Sequence, residues 1–300
     1  MNVARLFLVL IISSLFCAAC ASNAASAEEY YSIGMAYFEL GKYAEAEQWL
    51  NRARSADRTM AASEYNLGRI AFETGRYDDA LIHFENILVR DPQNVMVLKA
   101  AAYTCIRTGA FSKAESYYQR VLALVPESAD DGYNYALVLF AVTKYAECET
   151  VLLRYPQALN EKPDSLLLLA RAQDAADKVE AIDNFAKYIA GNSASPTILY
   201  EYAGALEKAE LYARALEQYR ESLAALRTDQ ENLKRNQIRF DIARLLLVAD
   251  PGNNEGITEL NAAIADGFND IDALEALLAD QSVDEKSKQE IRNIISGLRS

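Results

Sequence analysis

A small residue returns every 34 positions in this chain, as Gly34, Gly68 and Ala102, and it brings its neighbours with it. A unit opening at Ala27 holds Tyr30, Ile33, Gly34 and Tyr37, then Gly41, Tyr43, Ala46, Leu50 and Ala53. The unit opening at Ala61 repeats Leu67, Gly68, Gly75, Tyr77, Ala80, Phe84 and Pro92 at the same offsets. The unit opening at Val95 supplies Leu98, Ala102, Gly109, Phe111, Ala114, Tyr118 and Pro126. A period of this length marks a helix–turn–helix unit that buries its apolar face only by stacking on copies of itself. Two helices approach closely where little volume stands between them, so the small residue at offset 8 is expected against the small residue at offset 20. Gly41, Gly75 and Gly109 suit a tight turn with positive φ. Pro92 and Pro126 close one unit before the next.

Seven matched offsets over successive units resemble the tetratricopeptide repeat family. The resemblance implies an all-α fold, a right-handed α-solenoid of stacked helix–turn–helix units ending in C-terminal capping helices. Further units follow with damage. The one from Ala129 keeps Tyr135, Ala136, Leu139, Tyr145 and Leu152, with Cys148 in place of the small alanine and Thr143 in place of the turn glycine. The one from Pro163 keeps Leu166, Leu169 and Ala170 and loses a turn residue before Ala181 and Phe185. The one from Pro196 is clean again, with Leu199, Tyr202, Ala203, Leu206, Tyr212, Ala215 and Tyr219.

These boundaries divide residues 27–227 into six units, at 27–60, 61–94, 95–128, 129–162, 163–195 and 196–228. A repeat-like helix pair is expected over 229–266, its first helix running from Asp229 to Ala249 behind a capping box of Thr228 and Glu231. Residues 267–300 are read as capping helices, one over Ile271–Ala279 and one from Ser282 to about Ser296. Tyr155-Pro156 cuts a helix short, so an irregularity is expected at 155–163.

The N-terminus reads as a targeting segment over residues 1–20. Arg5 is its positive end, and Leu6–Phe16 is an apolar run too short for the ~20 residues that span a bilayer. Ala18-Ala19-Cys20 resembles the end of a bacterial lipobox, although Cys17 stands where leucine is usual. That reading makes Cys20 the lipid-bearing mature N-terminus. The alternative is ordinary signal cleavage as late as Ala25-Ser26-Ala27. Both place the protein in the bacterial cell envelope, lipid-anchored and facing the periplasm or soluble within it.

A formal net charge of −13 argues against nucleic acid and against docking on anionic lipid, leaving the lipid anchor as the membrane contact. Cys105 and Cys148 fall on core offsets and are read as small buried residues rather than as a favoured disulfide. His83, the only histidine, is read as a surface or flanking residue. Asp78-Asp79 and Asp130-Asp131 sit near helix starts, where negative charge favours the dipole. There is no G-x-S-x-G, no phosphate loop and no metal spacing, so no enzyme, catalytic residue, metal or cofactor is expected.

The resemblance implies that first helices line an inner groove through offsets 2, 5, 9, 12 and 13. In this chain those offsets carry Tyr31, Met35, Phe38, Tyr65, Arg69, Phe72, Lys99, Tyr103, Ile106, Arg107, Tyr133, Leu137 and Phe140. This aromatic and apolar wall suits a segment of another protein, with Arg69, Lys99 and Arg107 holding its polar groups. At offset 12 the wall turns polar in later units, as Asp174 and Glu207. Family members that clamp an acidic chaperone tail need basic and amide residues where this chain has Tyr31, Met35, Met96 and Ala100; only Asn66 fits, so that partner is not expected. The function so read is a non-enzymatic scaffold of the envelope. The alternative is a transport accessory holding a small apolar ligand or pairing with a solute-binding protein, for which Phe38, Phe72, Tyr103 and Phe140 would ring a closed pore.

Overall fold

The computed structural model describes residues 26–228, 233–252 and 254–299. Among these are 17 α-helices and no β-strand. They divide into two compact bodies between Val142 and Thr143. In the first body the helices come in pairs, α1 (Ala27–Glu39) with α2 (Tyr43–Ala56), α3 (Ala61–Glu73) with α4 (Tyr77–Arg90), and α5 (Val95–Arg107) with α6 (Phe111–Leu124), followed by α7 (Ala129–Ala141). The Leu6–Phe16 run, Cys17 and Cys20 lie outside the described residues.

Local chemistry sets the helix starts. Ser26 caps α1 and forms a reciprocal box with Glu29, its hydroxyl accepting from the Glu29 N–H and its own N–H donating to the carboxylate. Asn94 and Ser128 cap α5 and α7 without the reciprocal bond, their side-chain oxygens accepting from the N–H groups of Val97 and Asp131. Gly41, Gly75 and Gly109 hold φ values of 69°, 77° and 73° between paired helices. That conformation costs an L side chain about 1–2 kcal/mol, so glycine is the default there.

The close approach within a pair differs in detail from the small-on-small expectation. A Cβ added at Gly34 would lie 2.8 Å from Leu50 Cγ, and one at Gly68 would lie 2.7 Å from Phe84 Cε1. The glycine therefore makes room for the large residue at offset 24 of the second helix, while Ala46 and Ala80 are fully buried alongside. Leu50, Leu67 and Ile70 form a core between successive units, with Tyr31 and Phe38 packed partly against it.

The second body begins with α8 (Tyr145–Leu153) and α9 (Pro156–Glu161). Tyr155 adopts φ −122° and ψ 66°, as a residue before proline is driven to do, so one long helix becomes two short ones. Next come α10 (Pro163–Ala175) and α11 (Glu180–Gly191), then α12 (Pro196–Lys208) and α13 (Tyr212–Ala225). The turns here lack glycine: Thr143, Asp177 and Glu210 take φ of 61°, 52° and 59°. The following helix, α14 (Arg235–Ala249), starts later than expected, because Leu233 and Lys234 are not helical; Glu231 lies outside the described residues. The chain continues through α15 (Asn254–Ala265), α16 (Ile271–Ala279) and α17 (Glu285–Arg299). A Cβ at Gly256 would come 2.7 Å from Leu247 Cγ, so the same close approach is reused in the α14–α15 pair. Leu274, Leu277, Val283, Ile291 and Ile295 pack with Phe240, Leu247, Leu260 and Phe268, giving this end a core of its own.

Candidate functional site

Helices α1, α3 and α5 bring part of the anticipated wall together. Tyr31 and Met35 from α1, Tyr65, Asn66 and Arg69 from α3, and Met96 from the start of α5 line one hollow of about 410 Å³. Its floor includes Ile87 and Val97, which are buried. The polar groups of this hollow are held in a chain. Asn66 Nδ2 donates to Tyr31 Oη at 3.1 Å and to the Ala62 carbonyl at 2.9 Å, while Arg69 Nη1 donates to Asn66 Oδ1 at 3.1 Å. Asn66 is thereby satisfied in a nearly buried position and fixes both neighbours. Met96, 55% exposed, is not among the residues anticipated for the wall, yet it stands at the edge of this hollow. Its position at offset 2 of the unit opening at Val95 is the sequence signal for it, and its flexible thioether suits an apolar hollow.

A second cluster sits further along the same helices. Phe38 packs at 5.5 Å from Tyr43, and the Arg69 guanidinium lies 4.5 Å from the Phe38 ring centre. Phe72 lies 5.3 Å from both Tyr77 and Tyr103, with Arg107 over Phe72 and Tyr77 at 5.8 and 5.2 Å. Arg69 and Arg107 have no carboxylate within ion-pair distance among the described residues, so aromatic faces are their principal neighbours. Tyr103 is 50% exposed and Leu137 is 40% exposed, while Ile106, Tyr133 and Phe140 are half-buried.

Lys99 departs from the anticipated role. Its Nζ lies 2.7 Å from Oδ1 of Asp131, a carboxylate almost wholly buried at the start of α7. Ser128 Oγ donates to the other oxygen at 2.7 Å. A buried carboxylate requires such compensation, so Lys99 neutralises Asp131 and is not a free groove cation. Asp131 is likewise part of the packing rather than a solvated helix-start charge.

His83 lies on α4 at the flank of buried Phe84, where it meets an acid. It is half-buried, with Nδ1 2.9 Å from Glu64 Oε1. Glu64 receives Asn86 Nδ2 at 3.1 Å and Arg54 Nη1 at 3.3 Å as well. Burial pushes the Glu64 carboxyl up, but these donors together outweigh it and hold it below its ordinary value. Cys105 and Cys148 are both buried free thiols, and burial raises each, Cys148 to about 12. Thiols so placed are inert as nucleophiles. Among the described residues no cluster of His, Cys, Asp and Glu could hold a metal ion, and no helix is long and apolar enough to cross a membrane.

A tetratricopeptide repeat model matches residues 65–129, and the model described as anaphase-promoting complex, cyclosome, subunit 3 matches residues 12–87. The repeat match takes in Tyr65, Asn66, Arg69 and Met96 of the hollow. Residues 65–129 carry the tetratricopeptide repeat signature, and the chain has the tetratricopeptide fold. Its tetratricopeptide fold is shared with a repeat protein from Parabacteroides merdae ATCC 43184, at a TM-score of 0.56 and 18% identity, covering 84% of this chain and 97% of that one. YrrB, a tetratricopeptide protein with an unusual peptide-binding site, aligns at a TM-score of 0.54 and 15% identity over 59% of this chain and 92% of its own. MamA from Desulfovibrio magneticus RS-1 aligns at 0.51 and 17% identity over 55% and 94%. At these identities the likeness is one of fold. In sequence, the chain is 26% identical over 153 residues to an "uncharacterized lipoprotein" of Treponema pallidum (strain Nichols), covering 51% of this chain and 78% of that protein.

Proposed function

We propose that this tetratricopeptide repeat protein is a non-enzymatic scaffold of the bacterial cell envelope that captures a segment of another protein on the first-helix face of its N-terminal body. The observation that carries the reading is the hollow of about 410 Å³ framed by Tyr31, Met35, Tyr65 and Met96, with Arg69 at its wall. Pockets that bind ligands are largely apolar with a few fixed polar groups, and this hollow has that composition. Arg69 and Arg107, stacked on Phe38 and Phe72, keep guanidinium edges for a partner's carbonyl or carboxylate oxygens. The acidic chaperone tail fits poorly, because Tyr31, Met35 and Met96 frame the hollow where clamp cations would stand.

Two observations favour attachment through Cys20 over cleavage at Ala25-Ser26-Ala27. Ser26 and Glu29 form the box that opens α1, and cleavage after Ala27 would remove that cap. The Treponema pallidum relative is itself named a lipoprotein. Cys20→Ser should then release the protein from membranes, and undiminished retention would reject the anchor.

The groove is tested by Tyr65→Ala with Phe72→Ala. Cross-linking pull-down from the native envelope with the wild-type chain should recover a partner that the double variant loses at least tenfold, with helicity unchanged by circular dichroism. Equal recovery by a folded double variant would place the contact elsewhere.

A further inference from the structure

Away from the first-helix face, the N-terminal body has a second hollow of about 550 Å³ at the C-terminal ends of α2 and α4. Three arginines line it: Arg54 from α2, Arg58 from the loop before α3, and Arg90 from α4. The chain's net charge is −13, so three arginines gathered in one hollow run against its overall sign. The only carboxylate lining it is Glu64, whose oxygens already face Arg54, His83 and Asn86. The acids adjacent in sequence, Asp57 and Asp91, do not line it. Asp57 accepts from the N–H and hydroxyl of Thr59, and Asp91 accepts from Asn94 Nδ2.

Arg54 and Arg90 lie in the last turns of their helices, where a cation complements the helix dipole. Arg90 also donates one hydrogen bond, 2.7 Å long, to the Arg58 carbonyl, which leaves most of its donors uncommitted. Arg58 is neither at a helix end nor paired with a carboxylate among the described residues. Glu64 thus offsets one of the three positive charges and two remain. Guanidinium groups recognise oxyanions through paired N–H donors, and a phosphate monoester near neutral pH carries a charge approaching that of the missing dianion. The hollow is larger than a bare phosphate requires. Its remaining wall is Ser55, Asn86 and Val89, the last an apolar side chain left 82% exposed.

We infer that this hollow is a binding site for an organic phosphate, with Arg58 and Arg90 gripping the oxyanion, Arg54 held beside them by Glu64, and Val89 against the organic part. The phosphate could be carried by a soluble ester or by a lipid headgroup, and the chemistry of recognition is the same for both. The site is independent of the groove proposed above, since none of its lining residues belongs to that wall.

The test is isothermal titration of the full chain, in low salt, with glycerol 3-phosphate and with inorganic phosphate, beside sedimentation with phosphatidylglycerol vesicles. The expected result is saturable one-site binding of glycerol 3-phosphate, weaker binding of inorganic phosphate, and at least a tenfold loss in R58Q/R90Q. A second variant, R154Q/R227Q, removes two positive charges elsewhere and should bind within twofold of wild type. Vesicle binding that R58Q/R90Q abolishes, without binding of the soluble ester, would support the site and assign the phosphate to a lipid. No saturable binding to any of the three probes would overturn the inference, as would equal losses in the two double variants, because net charge would then explain them.

Discussion

Replacing Gly68 with alanine gives a clear test of the packing argument, because two effects of similar size oppose each other. Alanine is the better helix former by about 1 kcal/mol in a helix interior. Against that gain, the added methyl would lie 2.7 Å from Phe84 Cε1 and 3.0 Å from Cδ1 and Cζ. Phe84 is 2% exposed, and its ring lies 5.7 Å from that of Tyr65, so it has little room to retreat. Forcing a methyl into a filled core costs about 1–3 kcal/mol. The clash should win, with a net destabilisation of about 1–2 kcal/mol for the larger estimates of strain. Gly204→Ala supplies the opposite sign within the same chain. Gly204 also lies inside a helix, but its added Cβ would meet nothing nearer than Tyr219 Oη at 4.0 Å. That variant should be stabilised by roughly 0.5–1 kcal/mol. Repeat arrays need not unfold in a single step, so a local reading is preferable to one melting temperature. Native-state hydrogen exchange should show protection in α3 and α4 falling about tenfold in Gly68→Ala, the equivalent of ~1.4 kcal/mol, and rising in α12 for Gly204→Ala. Shortening the opposing ring, as Phe84→Leu in the Gly68→Ala background, should recover part of the loss as a positive coupling in a double-mutant cycle. If Gly68→Ala proves as protected as wild type, the small residue at this offset is not required by contact with offset 24, and the reasoning fails.

Two further outcomes follow from local geometry. Thr143 holds φ 61° with a β-branched, exposed side chain, so Thr143→Gly should stabilise its turn by about 1 kcal/mol, read as a higher denaturant midpoint; an unchanged or lower midpoint would show that the turn carries no such strain. Glu64 is held below its ordinary value of 4.5, so its contribution is fully present above that pH and is lost as pH falls through the lower folded value; acid titration should cost the wild type stability below about pH 4.5 that Glu64→Gln does not lose, and parallel curves would refute the assignment.

Much of the repeat architecture was legible because it is written in contacts between near neighbours in sequence. The turn glycines with positive φ, the buried Ala46, Ala80 and Ala114, and the break at Tyr155-Pro156 each follow from one residue and its own backbone. Pairings between charged side chains of different helices were less legible. Lys99 and Asp131 are 32 positions apart, and nothing in either residue says that the carboxylate is buried and claims the amine. His83 and Glu64 meet across two helices in the same way. The period supplies backbone register, whereas side-chain partnership depends on which of several nearby acids is shielded from water. The start of α14 at Arg235 shows the remaining gap, since Thr228 with Glu231 imitates a helix start that the backbone at Leu233 and Lys234 does not continue.

The difference between early and late first helices bears on where a partner should dock. At offset 12 the early units place Phe38, Phe72 and Ile106, and the later ones Asp174 and Glu207. The later acids are not idle. Asp174 accepts Lys208 Nζ at 2.9 Å, and Glu207 receives both Arg244 Nη atoms, at 2.5 and 2.9 Å, together with Tyr219 Oη at 3.0 Å. Asp241 in turn accepts Tyr200 Oη at 2.6 Å. Polar groups satisfied by one another within a half-buried network lose those bonds if a partner displaces them, so such a surface offers little net gain on binding. The early first helices stand in the opposite condition. Their rings are half-buried, and Arg69 and Arg107 rest on aromatic faces with no carboxylate partner among the described residues. A partner segment laid over Arg69 and Arg107 would cover apolar surface and complete hydrogen bonds without breaking an ion pair of either arginine. The same residue offset thus serves cohesion in the second body and leaves half-buried apolar surface in the first.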